Sequence, residues 1–269
     1  MSDALVIENL NKQQGDFSIK DFELVLPAKC VMGLAGNTGA GKSTIVKMIM
    51  GLEKPDSGTI KVFGYDTVKE MKKVRSITGI ATEDGFFPPF MTAAEIGAVL
   101  RPLYPEWNSD MFTYLLRRMN VAQAAKIENM SGDETVKLNI AAALSHNTRL
   151  LIIDDILGEL SGAAIKEITD VLHEYVYDYE GSLLISSHFL GDFEQLCDYF
   201  AFMQDGELKF FDLKENLLGQ YASIERRVDL SEIMLYLNRK EKHSSKGNMK
   251  NKNLRKKSTG SGAKKKGKK

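Results

Sequence analysis

The sequence predicts an α/β fold: a core sheet flanked by helices, with an N-terminal antiparallel β subdomain and an inserted helical subdomain. Three observations carry this. The apolar run Cys30–Ala35 leads into a Gly-rich stretch, Gly36–Thr44, and then a helix-like segment, Ile45 to Gly51. A second apolar run, Leu150–Ile153, ends in two carboxylates, Asp154 and Asp155. Between them, from Thr92 to about His146, the apolar pattern is helical and is interrupted near Pro102, Pro105 and Met130. Strands on both sides of a helical block describe a layered α/β core carrying an insertion.

The elements follow in order. Leu5–Ile7 and Phe22–Leu26 have strand character, bounded by Gly15 and Pro27. Asp56–Gly58 is a turn before the strand Thr59–Phe63, which Gly64 closes. A short strand at Ile77–Ile80 precedes an irregular stretch around Gly85–Pro89. Strands return at Leu150–Ile153, Ser182–Ile185 and Tyr199–Met203, with helices at Ala163–Tyr179 and Leu190–Cys197. No internal repeat is visible.

The chemistry begins at Gly36, Asn37, Thr38, Gly39, Ala40, Gly41, Lys42, Ser43 and Thr44. Glycines at these spacings let successive main-chain amides converge on one centre, and the following helix adds the positive end of its dipole. A bare Gly-rich turn is the competing reading. The flanking strand and helix favour a P-loop NTPase (RecA-like) core that binds ATP or GTP. Lys42 then reaches the β- and γ-phosphates, and the Ser43 hydroxyl holds Mg²⁺. Asp154, at the end of a buried strand, is placed to anchor the Mg²⁺ shell, and Asp155 to orient the attacking water. Such a pair can also merely end a strand or cap a helix. His188 follows a third apolar strand, where it can donate to a γ-phosphate. Alone it would be an ordinary surface histidine, but its order after the two earlier motifs favours the functional reading.

From about Leu5 to Phe211 the chain resembles the ATP-binding-cassette ATPases. The markers, in order, are the P-loop, the helical insertion, Ser131–Gly132 opening a helix, Asp154–Asp155 and His188. Within that family, Thr82–Glu83, Gly85–Pro88, Met91–Glu95 and Leu103–Trp107 resemble bacterial export-type cassettes of the bacitracin-resistance kind. The resemblance implies a cassette that pairs head-to-tail with a second one, as homodimer or heterodimer. ATP is then sandwiched between the P-loop of one and Ser131 and Gly132 of the other. It also implies Mg²⁺ dependence, a membrane permease partner, and a cytoplasmic site, peripheral on the inner face of the membrane. Glu83 stands where the family has a glutamine that senses Mg²⁺ and the γ-phosphate, and joins the candidate catalytic and metal-binding residues.

Five positions depart from the family pattern. Gln14 falls where an adenine-stacking aromatic is expected; either Phe17 substitutes for it or the stacking is lost. Glu83 replaces the glutamine. The signature reads Met130-Ser131-Gly132-Asp133-Glu134 in place of Leu-Ser-Gly-Gly-Gln. Its Ser131 and Glu134 also form a capping box, which by itself would simply start a helix. Asp155 replaces a glutamate and is one methylene shorter, a retreat of about 1.3 Å; a misplacement of about 1 Å costs about a hundredfold in rate. Ser161 stands where an aspartate is expected. Binding residues are thus intact and those for hydrolysis altered. This pattern predicts an exporter motor that binds MgATP and hydrolyses it slowly, or alternatively an ATP-gated regulatory or interaction subunit with little turnover.

Composition sets the outer limits. At 269 residues and 43% hydrophobic the chain can bury a full core. No apolar run approaches the roughly 20 residues of a spanning helix, and no signal sequence is evident. Cys30 and Cys197 read as reduced core thiols. The zero net charge hides an asymmetry: residues 239–269 hold 14 of the 36 Lys and Arg but only one of the 36 acids. The expected organisation is an ATP-binding domain over 1–238, its helical subdomain about 90–146, followed by a disordered Lys-rich tail over 239–269. That tail is a candidate contact for anionic lipid, at about 1 kcal/mol per basic residue. A nucleic-acid role is disfavoured, because no tandem cassette or long coiled coil is present.

Overall fold

The computed structural model describes residues 3–82, 87–156, 160–188 and 191–221. The chain divides into two units, residues 1–217 and 218–269; of the second, only 218–221 are described.

Two sheets build it. The smaller has the order β2-β1-β4-β5 and is antiparallel, from β1 (Leu5–Gln14), β2 (Phe17–Leu26), β4 (Ser57–Val62) and β5 (Tyr65–Asp66). The larger has the order β10-β9-β3-β8-β7-β6. Its strands are β3 (Val31–Ala35), β6 (Thr78–Thr82), β7 (Leu150–Asp154), β8 (Ser182–Ser187), β9 (Tyr199–Gln204) and β10 (Glu207–Leu213). All its pairings are parallel except β9 with β10. Every residue of β3, β7 and β8 is buried, as expected for parallel strands covered on both faces. Their continuous apolar runs follow from that burial.

The helices are α1 (Lys42–Ile49), α2 (Met71–Ile77), α3 (Ala93–Leu100), α4 (Ser109–Arg118), α5 (Gly132–Leu144), α6 (Gly162–Tyr177) and α7 (Lys214–Tyr221). The insertion, α3 to α5, leaves the larger sheet after β6 and returns at β7. Each of its helices opens on a polar cap: Thr92 and Ser131 with full capping boxes, Asn108 through its side-chain oxygen. Where α5 comes back to the sheet, Gly79 of β6 makes room. A Cβ there would lie 2.3 Å from the Ala143 carbonyl oxygen.

The strands and the insertion match the sequence expectation, with differences of register. The first two strands are longer than their apolar cores because hairpin pairing carries them to the turn at Gln14–Phe17. The segment expected as a helix from Leu190 is a 3₁₀ turn, Gly191–Leu196. Among the described residues, β5, α2, β10 and α7 had no expectation. α2 lies in a Lys-rich run and its N-cap, Glu70, makes no side-chain cap. β10 alternates exposed and half-buried residues as an edge strand. Both cysteines are free, Cys197 buried and Cys30 half-buried, and burial pushes the Cys197 thiol up to about 12.

Candidate functional site

The site assembles at the carboxyl ends of the parallel strands, where neighbouring connections diverge. β3 delivers Gly36–Thr44. At Gly36 a Cβ would sit 2.2 Å from the Met203 carbonyl oxygen of β9, so only glycine lets the chain leave the sheet here. Gly39 (φ +81°) and Gly41 (φ +106°) take left-handed conformations that curl the loop. Gly41 is the N-cap of α1 and supplies no side-chain cap, so the first-turn amides of that helix are left for an anion. Asn37, Thr38, Gly39 and Ser43 are exposed; Ala40 is buried and its carbonyl accepts from the Gly206 amide at 3.1 Å. Thr44 Oγ1 donates to Gln14 Oε1 at 3.4 Å.

Lys42 lies over this loop, 4% exposed, its Nζ donating to the Gly36 carbonyl at 2.7 Å and the Asn37 carbonyl at 3.2 Å. Burial lowers its pKa, and the charges of Asp155 and Asp154 work against that. An ammonium held by two carbonyls can be redirected to a stronger acceptor, such as a phosphate.

β7 delivers the carboxylates. Asp154 is 9% exposed, and its Oδ1 is buried with no hydrogen-bond partner among the described residues. Burial raises its pKa, while the Ser186 and Ser43 hydroxyls and Lys42 pull the other way. A carboxylate that interacts with the Ser43 hydroxyl and keeps one buried oxygen unpartnered among the described residues is the oxygen donor set a hard divalent cation takes, so these residues fit Mg²⁺.

Asp155 has φ +54°, a left-handed conformation that aspartate tolerates better than bulkier residues. Its amide donates to the Ser186 carbonyl at 2.8 Å. Its Oδ1 accepts from His188 Nδ1 at 2.8 Å, from the His188 amide at 3.4 Å and from Ser187 Oγ at 3.5 Å. Burial raises the Asp155 pKa, but the His188 hydrogen bonds and Lys42 outweigh it and the net shift is downward. An ionised carboxylate can only accept, so Nδ1 carries the proton, and among the described residues Nε2 has no hydrogen-bond partner. Glu83 lies outside the described residues; β6, which leads to it, ends at Thr82, paired with Asp154.

Ser131 and Gly132 open α5. Ser131 Oγ accepts from the Glu134 amide at 3.2 Å, and Glu134 Oε2 accepts from the Ser131 amide at 2.9 Å. A cleft of about 510 Å³ brings Gly132, Asp133, Thr135 and Asn139 together with Asp155 and His188.

Gln14, where a stacking ring was expected, donates to Glu53. Phe17 is half-buried with its ring against the loop: a Cβ on Gly41 would meet its Cζ at 2.8 Å. Sequence reasoning missed two further contacts. Asp133 accepts from Ser161, and Lys137 Nζ pairs with Glu167 Oε2 at 2.6 Å. Partners about 30 residues apart leave no local pattern to read.

A Gly-rich strand–loop–helix cradle with a buried lysine, together with a carboxylate at the end of β7, one strand removed from β3 in the same parallel sheet, defines a P-loop nucleotide-binding protein. Comparison with known proteins makes this specific. The family described as ABC transporter matches residues 19–158. Curated relatives include the linearmycin resistance ATP-binding protein LnrL of Bacillus subtilis (strain 168), 30% identical over 80% of this chain and 71% of that protein. Another is the bacitracin transport ATP-binding protein BcrA of Enterococcus faecalis, 29% identical over 77% of this chain and 68% of that one. A solved ATP-binding subunit of an ABC transporter shares the fold, with TM-score 0.78 and 23% identity over 87% of this chain and 99% of that one. The chain belongs to the ABC transporter family. It is an ATP-binding, ATP-hydrolysing subunit of such a transporter, and membership implies Mg²⁺, a second ATP-binding subunit and a permease.

Proposed function

We propose that this subunit drives an exporter of the bacitracin-resistance kind, binding MgATP firmly and turning it over slowly. One observation carries the reading: among the described residues Asp154 keeps a buried oxygen unpartnered for the cation, whereas Asp155, an aspartate where the family has a glutamate, is taken up by His188 and Ser187. The loop Gly36–Thr44 cradles the phosphates, Lys42 moves from the loop carbonyls to the β- and γ-phosphates, and Ser43 and Asp154 hold Mg²⁺. Held there by Ser43 and Asp154, Mg²⁺ would supply positive charge to offset the negative charge developing on the phosphates. Asp155 orients the attacking water and accepts its proton, and His188 positions Asp155 through Nδ1 while turning Nε2 to the γ-phosphate. Glu83 would complete the cation's surroundings. Ser131 and Gly132 act on the nucleotide of the paired subunit, a second copy or a different cassette.

Export is supported by the relatives named for bacitracin transport and linearmycin resistance. Among the described residues no helix is long and apolar enough to cross a membrane, so the permease is a separate chain or segment in this reading. It would dock near residues 83–90. Phe90 there is 67% exposed and so available as an anchor, while Phe86 lies outside the described residues. The body over 1–238 works at the cytoplasmic face, and the tail over 239–269 adds contact with anionic lipid.

Binding of a fluorescent ATP analogue and steady-state turnover test this. Lys42→Ala should abolish binding, and Asp155→Ala should leave binding intact with turnover lost. Turnover at an ordinary 1–100 s⁻¹ in the wild type would overturn slow hydrolysis. The second reading, an ATP-gated regulatory subunit, is favoured by the engagement of Asp155. It predicts that function in cells survives Asp155→Ala but not Lys42→Ala.

A further inference from the structure

Asp133 and Ser161, two positions where the chain departs from its family's pattern, meet each other in space. Ser161 Oγ donates to Asp133 Oδ2 at 2.5 Å, and the Ser161 amide donates to Oδ1 at 3.3 Å. Both carboxylate oxygens are thus engaged by one residue. The same Ser161 Oγ accepts from the Ala164 amide at 3.3 Å, which makes it the N-cap of α6. Asp133 sits in the first turn of α5, so this carboxylate joins the start of the last insertion helix to the start of α6.

The position of this contact gives it consequence. Ser161 ends the stretch of chain that begins at Asp155. The Asp155 end is pinned to β8 through the Ser186 carbonyl and His188. The Ser161 end is pinned by Asp133, a residue of the insertion. Asp133, Leu160, Ile156 and Asp155 line one cleft. A movement of α5 therefore either breaks the Asp133–Ser161 bonds or moves Ser161, which lies six positions along the chain from Asp155. One turn further along α5, Lys137 pairs with Glu167 of α6, so the two helices are tied at a second level that does not touch that segment.

We propose that Asp133 is a positioning residue for Asp155: through Ser161 it sets the carboxylate's place and transmits the position of the insertion to it. This rests on Asp155 being the group that orients the attacking water. Loss of the tie lowers kcat about tenfold, less than the hundredfold that a full 1 Å displacement costs. The KM for ATP stays within about twofold, because the phosphate cradle is built on β3 and α1.

The test compares Asp133→Ala, Ser161→Ala, the double variant and Ser161→Thr. Turnover is read as kcat and KM, and hydrogen exchange is followed by mass spectrometry in peptides covering residues 150–165 and 36–44. Both single variants should lose kcat alike, the double should lose no more than either, and Ser161→Thr should restore the wild-type rate. Asp133→Ala should speed exchange in the 150–165 peptide, leaving 36–44 unchanged; this readout stands even where turnover is too slow to measure. Unchanged exchange after Asp133→Ala overturns the proposal, as does a loss in Lys137→Met equal to that in Asp133→Ala. Asp155→Ala with full turnover would instead defeat the underlying assignment of Asp155.

Discussion

His146 offers the most direct quantitative test of how the insertion is seated on the core. It follows α5 at the point where the chain re-enters the sheet, and it is 9% exposed. Its ring stacks on Tyr104 of the insertion, with centroids 4.3 Å apart and an interplanar angle of 15°. Thr148 lies beside the ring and Arg75 acts on the stacked Tyr104. Burial lowers the His146 pKa from 6.5 to about 4, against a smaller opposing effect of a hydrogen bond to the Ser76 backbone. The sign follows from linkage. Between pH 6.5 and about 4 the unfolded chain takes up a proton that the folded chain refuses, so stability falls as the pH is lowered through that window. The loss amounts to about 2 kcal/mol by pH 5 and approaches about 3 kcal/mol once the folded histidine is itself protonated. Urea unfolding at about pH 7 and about pH 5 would measure it in the wild type and in His146→Gln. The variant loses stacking at both pH values, but its own drop between them should be smaller by about 2 kcal/mol. Equal drops in the two proteins would show that His146 is not held neutral by burial, and the reasoning would fail.

Other expectations follow from single contacts. Gly36→Ala places a Cβ 2.2 Å from the Met203 carbonyl oxygen, so the variant should lose nucleotide binding and melt well below the wild type in a thermal scan. Lys137→Met leaves Glu167 at a half-buried position without its cation; a loss of about 2–3 kcal/mol in denaturant unfolding is expected, and Glu167→Gln should cost less. Asp154→Asn removes the carboxylate with the free buried oxygen, so Mg²⁺ should no longer strengthen ATP binding in a titration with and without the metal. Removing residues 239–269 should leave ATP binding unchanged and abolish flotation with vesicles rich in anionic lipid.

The core and the nucleotide cradle were legible because their signals are local. The glycines of Gly36–Thr44 answer to backbone geometry within nine residues. The buried strands β3, β7 and β8 announce themselves as unbroken apolar runs, and the Ser131–Glu134 capping box is written in four consecutive residues. Elements with weaker local signals were missed or misjudged. α2 lacks a side-chain cap, and β10 has only the alternation of an edge strand. The reach of β1 and β2 to their turn depended on pairing with each other.

Sequence alone determined that a P-loop would lie between a buried strand and a helix, that two carboxylates would emerge at the end of another strand, and that a helical block would separate them. Only the tertiary structure decided how those residues face one another. Asp155 engages His188, Asp154 keeps an oxygen unpartnered among the described residues, Phe17 lies against Gly41, and Asp133 reaches Ser161 across 28 positions of chain. The physical reason is that backbone conformation and apolar periodicity are set by neighbours along the chain. Hydrogen bonds between side chains on separate helices and strands depend on the sheet order that brings them together.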